Sequence, residues 1–122
     1  MITLIENLPE NIVGLKYEGH VTAADYESVI FPALERASGE SKDLKILCQL
    51  TDKFKGFDLG ALKDDFEIGI KYFRNWNKIA FVSENEWMNH TVKALGFLIP
   101  AQIRTFKKTA MDEAIKWLSD QK

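Results

Sequence analysis

The feature that most constrains this chain is an alternation of short apolar runs with segments of helical periodicity. Strand-like runs are predicted near 2–6, 12–18, 44–50, 78–82 and 102–106. After the second run and after each later one, apolar residues recur at intervals of three and four, as they do along one face of a helix. Strands that alternate with helices in this way predict right-handed crossovers and a largely parallel sheet.

The predicted architecture is therefore a single α/β domain over residues 1–122. A turn-forming segment, Asn7–Asn11, separates the first two runs, so the first strand should pair antiparallel with the second. The sheet is predicted to be mixed and mostly parallel, with five strands, an antiparallel edge strand and four packed helices.

Helix starts are marked by a repeated cap signal. Thr22, Ser83 and Thr109 each stand three residues before an acid. A hydroxyl and an acid at this spacing can each bond the other's backbone N–H, so three capping boxes are predicted. Pro32 lies inside the first helix, where the missing N–H and the bulky ring predict a kink.

Composition narrows the classes of partner. The chain has 46% hydrophobic residues, 28% charged residues and a net charge of −2, so no polyanion or nucleic-acid partner is indicated. Neither a signal peptide nor an apolar stretch of membrane-spanning length is visible. With Cys48 as the single cysteine, no internal disulfide can form. A cytoplasmic protein is predicted.

Catalytic and metal-binding motifs are not found. The sequence has no GxxxxGK[ST] loop and no GxSxG elbow. Cys48 has apolar neighbours and is interpreted as a core residue, and His20 as an exposed turn residue. His90 follows Glu86 by one helical turn without a second His or Cys on that helix, so no metal is predicted. The pair Asp64–Asp65 is interpreted as a solvated helix face. We therefore expect no enzyme, no cofactor and no catalytic residue.

Two apolar segments exceed what a small core needs. The first is the predicted loop Thr51–Leu59, in which aromatic residues alternate with lysines; the second runs from Trp87 to Ile99. Both lie where ligand sites of open α/β sheets are found, beyond the carboxyl ends of the strands. We predict that they bind a small apolar or lipid-like ligand and touch a membrane reversibly, at the inner membrane face. The predicted ligand-binding residues are Phe54, Phe57, Leu59, Leu62, Phe66, Trp87, Leu95 and Phe97, and the predicted membrane contacts are Lys53, Phe54, Lys55 and Phe57. The alternative left open is that these residues cap the core or form a homo-oligomer face.

The order of strands and helices resembles the SpoIIAA-like (STAS/Sec14-like) family of small bacterial proteins. The resemblance covers nearly the whole chain. It is carried by Ile12–Gly19 leading to Thr22 and Asp25-Tyr26, by Pro32, by the Trp87 helix, by Ile103–Phe106 and by Ala114–Leu118.

This resemblance implies two kinds of function. STAS-type anti-sigma-factor antagonists bind a kinase partner and are switched by phosphorylation of a serine at the start of the second helix, whereas Sec14-like relatives bind lipids. The antagonists' Asp-Ser motif is missing here, where the chain offers only Thr51-Asp52 and Asp58. The resemblance thus implies either an apolar-ligand domain or a protein-interaction module without the usual phosphoserine switch.

Overall fold

A computed structural model describes residues 1–9, 12–40, 44–71, 76–84, 86, 89–90 and 101–120. Its sheet has five strands in the order of the chain: β1 (Ile2–Leu4), β2 (Ile12–Val21), β3 (Leu44–Phe57), β4 (Trp76–Val82) and β5 (Gln102–Phe106). β1 pairs antiparallel with β2, and every later pair is parallel. The mixed sheet with an antiparallel edge strand is confirmed.

The first helix is continuous but changes its winding. It begins as α1 (Ala23–Asp25), passes through a π-helical turn (Tyr26–Ile30) and continues as α2 (Phe31–Glu40). At the end of the π turn the N–H of Phe31 bonds to the carbonyl of Tyr26, one residue further back than in an α-helix. Pro32 lacks an N–H and its ring crowds the carbonyl four residues earlier, so a widened turn just before it lets the helix continue.

The other described helices are α3 (Leu59–Lys71) and α4 (Met111–Ser119), the latter preceded by a 3₁₀ turn at Lys108–Ala110. The described residues thus contain three helices rather than the predicted four. The predicted third helix falls mainly on 85, 87–88 and 91–100, which lie outside the described residues, although 86 and 89–90 are helical.

Two of the predicted caps can be compared with the structure. Thr22 and Asp25 form the full capping box, with the Asp25 N–H donating to Thr22 Oγ1 at 3.3 Å and the Thr22 N–H donating to Asp25 Oδ2 at 2.9 Å. The box predicted at Thr109 is wrong. Thr109 lies inside the 3₁₀ turn, and α4 begins after Ala110 without a side-chain cap.

The core lies on both faces of the sheet. On one face the first helix and α3 cover a cluster that includes Tyr17, Tyr26 and Cys48. On the other face α4 covers a second cluster that includes Leu47 and Leu118. Successive side chains of a strand point to opposite faces, so β3 places Leu47 in one cluster and Cys48 in the other.

Candidate functional site

The segment predicted as a loop after the central strand is a continuation of that strand. β3 runs on to Phe57, and Phe57 pairs with Val21 at the end of a lengthened β2. The pairing passes through register shifts on both sides of Gly19, whose φ is +61°. A bulge at a residue that tolerates positive φ lets both strands continue beyond β4, whose pairing with β3 ends at Gln49.

The two phenylalanines of this segment pack toward the core. Phe54 and Phe57 are half-buried against the cluster under the first helix. Their ring centroids are 5.2 Å apart in an edge-to-face arrangement, and the ring of Tyr17 lies 6.0 Å from that of Phe57. These rings therefore extend the core at this end of the sheet, which is the alternative that the sequence left open.

The predicted membrane-contact residues separate by face. Lys53 and Lys55 are exposed, whereas Phe54 between them is half-buried. Residues 53–55 follow the period-two alternation of a half-buried strand. Phe57 would share the face of the lysines by this period, but a register shift lies between Phe54 and Phe57, and both rings pack on the core. The hydroxyl of Thr51 is bonded to the backbone: it donates to the Tyr17 carbonyl at 3.3 Å and accepts from the Lys53 N–H at 3.2 Å.

Among the described residues, two of the four exposed large apolar side chains lie at the start of α3, and the other two are Met1 and Leu4. Asp58 caps this helix, its Oδ1 accepting from the Ala61 N–H at 2.7 Å. Leu59 is 85% exposed and Leu62, one turn later, is 49% exposed. Residues three apart share a helix face, so the two leucines form one apolar strip beside the exposed Lys63.

The remaining predicted ligand residues are not brought to this strip by any described contact. The side chain of Phe66 lies outside the part of the structure that is described, and so do Trp87, Leu95 and Phe97. The predicted pocket between α3 and the following helix stays a prediction.

A group of polar side chains that was predicted to be solvated lies where α3 packs against the first helix. Asp64 is 8% exposed, and its Oδ2 is buried with no hydrogen-bond partner in the described part of the chain. Asp65 Oδ1 accepts from the buried hydroxyl of Tyr26 at 2.8 Å. The interpretation of Asp64–Asp65 as a solvated face is therefore wrong for Asp64. It holds only in part for Asp65, because that residue is exposed but its carboxyl group bonds to the buried Tyr26.

The electrostatics of this group follow from burial. Desolvation raises the pKa of the Asp65 carboxyl, and the hydrogen bond from Tyr26 acts in the opposite direction. Desolvation and the neighbouring Asp65 raise the pKa of Tyr26 well above its ordinary value. Burial likewise raises the pKa of Cys48 to about 12, with the Tyr17 hydroxyl 4.0 Å from its sulfur. A thiol in this environment stays protonated at neutral pH, which confirms Cys48 as a core residue.

Other predicted absences concern only the described residues. Among them, no group of three or more His, Cys, Asp or Glu side chains could hold a metal ion. No helix in the described ranges is both long enough and apolar enough to cross a bilayer. His20 is exposed, as predicted, but it lies within β2 and pairs with Gly56, so the prediction of a turn at this residue is wrong.

Comparison with known proteins identifies the fold family. The profile of the SpoIIAA-like family matches residues 12–119. The chain belongs to the SpoIIAA-like family. The resemblance predicted from the strand and helix order is thereby confirmed, and the matched range takes in β2 to α4.

Solved structures agree with this SpoIIAA-like assignment. An uncharacterised protein with a SpoIIAA-like fold from Shewanella loihica superimposes with a TM-score of 0.80, covering 96% of this chain and 93% of its own. The two sequences are 21% identical, so the likeness concerns the fold alone. No curated protein matches the chain.

Proposed function

We propose that the chain is a non-enzymatic, STAS-type binding module that holds a protein partner on the apolar strip at the start of α3. Membership in the SpoIIAA-like family supports a STAS-type module in general. The observation that carries the proposal is the exposure of Leu59 and Leu62 on one helix face, at 85% and 49%. Large apolar side chains that cluster in solvent mark interaction sites more often than isolated ones do.

The surroundings of the strip favour a specific interface. Lys53, Lys55 and Lys63 are exposed in this part of the chain, and so are Asp58 and Asp65, so polar residues of both charges accompany the two leucines. An apolar centre with a polar rim is the common anatomy of protein interfaces. The strip also sits on a well-anchored helix, because α3 is capped by Asp58 and tied to the first helix through Asp65 and Tyr26.

The test compares two variants that remove exposed leucines from different places. Leu59→Ser/Leu62→Ser removes the strip, whereas Leu4→Ser removes a side chain of similar exposure, 46%, from β1. Burying one leucine contributes roughly 1.5–3 kcal/mol, so the double variant should weaken partner binding by about a hundredfold or more. The measurement is affinity co-purification from the native host with quantitative mass spectrometry. Equal recovery of the same partners by both variants would contradict the proposal.

A lipid-like ligand with reversible membrane contact is the second candidate. It is favoured by the exposed Lys53 and Lys55 near Leu59, because each lysine adds about 1 kcal/mol of attraction to an anionic surface. Co-sedimentation with vesicles of anionic and of neutral phospholipid tests it. This candidate predicts binding to anionic vesicles that Lys53→Gln/Lys55→Gln abolishes, whereas the protein-partner proposal predicts no pelleting with either kind of vesicle.

A further inference from the structure

Two lysines on neighbouring central strands are buried side by side. Lys45 of β3 and Lys78 of β4 are register partners, so they lie in one row across the sheet. Lys45 is 7% exposed and Lys78 is 1% exposed. Lysine is rarely buried to this extent, because an ammonium group loses several kcal/mol of hydration when it leaves water.

The two ammonium groups meet the end of α4. Lys78 Nζ donates to the carbonyls of Trp117 and Asp120, at 2.9 and 2.8 Å, and lies 5.3 Å from the centre of the Trp117 ring. Within the described residues, Lys45 Nζ donates to the Asp120 carbonyl alone, over 3.5 Å. Both lysines therefore share one carbonyl oxygen, and the contact of Lys45 is the weaker one.

The charges of this pair are incompletely balanced. In the described part of the chain, neither lysine forms an ion pair with an acid. The acids that form ion pairs there are paired with other cations. The C-terminus of a helix carries about half a negative charge, which Lys78 already engages through two carbonyls. Buried charges are normally paired, so Lys45 retains positive charge that nothing described offsets.

We propose that Lys45, supported by Lys78, is a binding site for a small oxyanion, either a phosphate or a carboxylate group. Lysine binds such groups as a point charge, and a nearby second ammonium strengthens the attraction. The site is independent of the strip on α3 and of the function proposed for it.

The test uses the full chain in phosphate-free buffer, with inorganic phosphate and acetate as separate probes and sodium chloride at matched ionic strength. Denaturant unfolding measures the ratio of folded to unfolded protein. At a probe concentration ten times the dissociation constant, this ratio should rise about elevenfold, and above that concentration it should keep rising in proportion to the probe. A rise with phosphate alone identifies a phosphate group as the ligand, and a rise with acetate alone identifies a carboxylate.

Two variants make the result specific. Lys45→Met keeps the apolar stem and removes the charge, and Lys107→Met removes a charge from an exposed lysine after β5. The proposal predicts that Lys45→Met folds at least as stably as the parent protein in phosphate-free buffer and loses the response to the probes, while Lys107→Met keeps it. Three results would each overturn the proposal: an equal response in Lys45→Met, a response that chloride reproduces, or strong destabilisation of Lys45→Met without added anion.

Discussion

Replacing Tyr26 by Phe should weaken the junction between the first helix and α3. The Tyr26 hydroxyl donates to Asp65 Oδ1 at 2.8 Å, and the tyrosine itself is 1% exposed. The change removes one donor without opening a large cavity, because the ring stays in place. The Asp65 carboxyl loses the hydrogen bond and keeps its desolvation. We expect the free energy of unfolding to fall by about 1–3 kcal/mol.

A double-mutant cycle isolates this hydrogen bond from other effects. Asp65→Ala removes the acceptor and leaves the Tyr26 hydroxyl without its partner. In Tyr26→Phe/Asp65→Ala both partners of the hydrogen bond are removed, and the two effects should fail to add by about 0.5–2 kcal/mol. A loss of 1 kcal/mol corresponds to a fall in Tm of about 3–6 °C for a domain of this size.

The assay is urea unfolding at pH 7, followed by circular dichroism and by tryptophan fluorescence. Coincident curves from the two probes would show two-state unfolding, which makes the free energies comparable. The reasoning is refuted if Tyr26→Phe unfolds within about 0.3 kcal/mol of the parent protein, or if the two substitutions prove additive.

Four further predictions concern individual residues of the fold. Folding raises the pKa of Asp65, so the contribution of this residue to stability falls as the pH rises from its unfolded pKa toward its folded pKa. Asp65→Asn should remove this fall, which is measured as the unfolding midpoint between about pH 2 and 6. Desolvation alone would raise the pKa of Asp25, but the hydrogen bonds from Thr22 and the charge of the terminal ammonium lower it. The stability that Asp25 contributes is therefore lost as the pH falls through its folded pKa, and Asp25→Asn should remove this pH dependence. Gly60→Ala should destabilise by about 1–3 kcal/mol in thermal unfolding, although alanine usually favours a helix, because the added Cβ would lie 2.9 Å from the Cβ of Ala23. A thiol reagent at neutral pH should label Cys48 only as fast as the protein unfolds, and rapid labelling of the folded protein would contradict its burial.

Periodicity predicted the parts of the fold that depend on neighbouring residues. The run Gln102–Phe106 forms β5 with the predicted bounds, and Thr22 and Asp25 form the predicted capping box. The lengths of β2 and β3 were not predicted, because glycines such as Gly19 and Gly56 are typical of turns. Both have positive φ, yet they lie within paired strands. Only the pairing of the two strands keeps the chain extended there.

The polar interior depends on contacts between distant positions, and a single sequence does not show these. Asp65 and Tyr26 are 39 residues apart, and Lys78 is 42 residues from the carbonyl of Asp120. The hydrophobic pattern of the sequence did not predict that the polar residues Asp64 and Lys78 would be buried, and both are buried in the structure. Of the predicted apolar surface, Leu59 and Leu62 are exposed, Phe54 and Phe57 are half-buried against the core, and the side chains of the remaining residues lie outside the described part of the chain.

Site-specific photo-crosslinking in the native host tests the proposed binding surface most directly. A photoreactive residue replaces Leu62 in one protein and Leu4 in another, since the two side chains are similarly exposed, at 49% and 46%. We predict one discrete crosslinked protein from position 62 and none from position 4. No crosslink from position 62, or the same products from both positions, would contradict the assignment of the start of α3 as the contact surface.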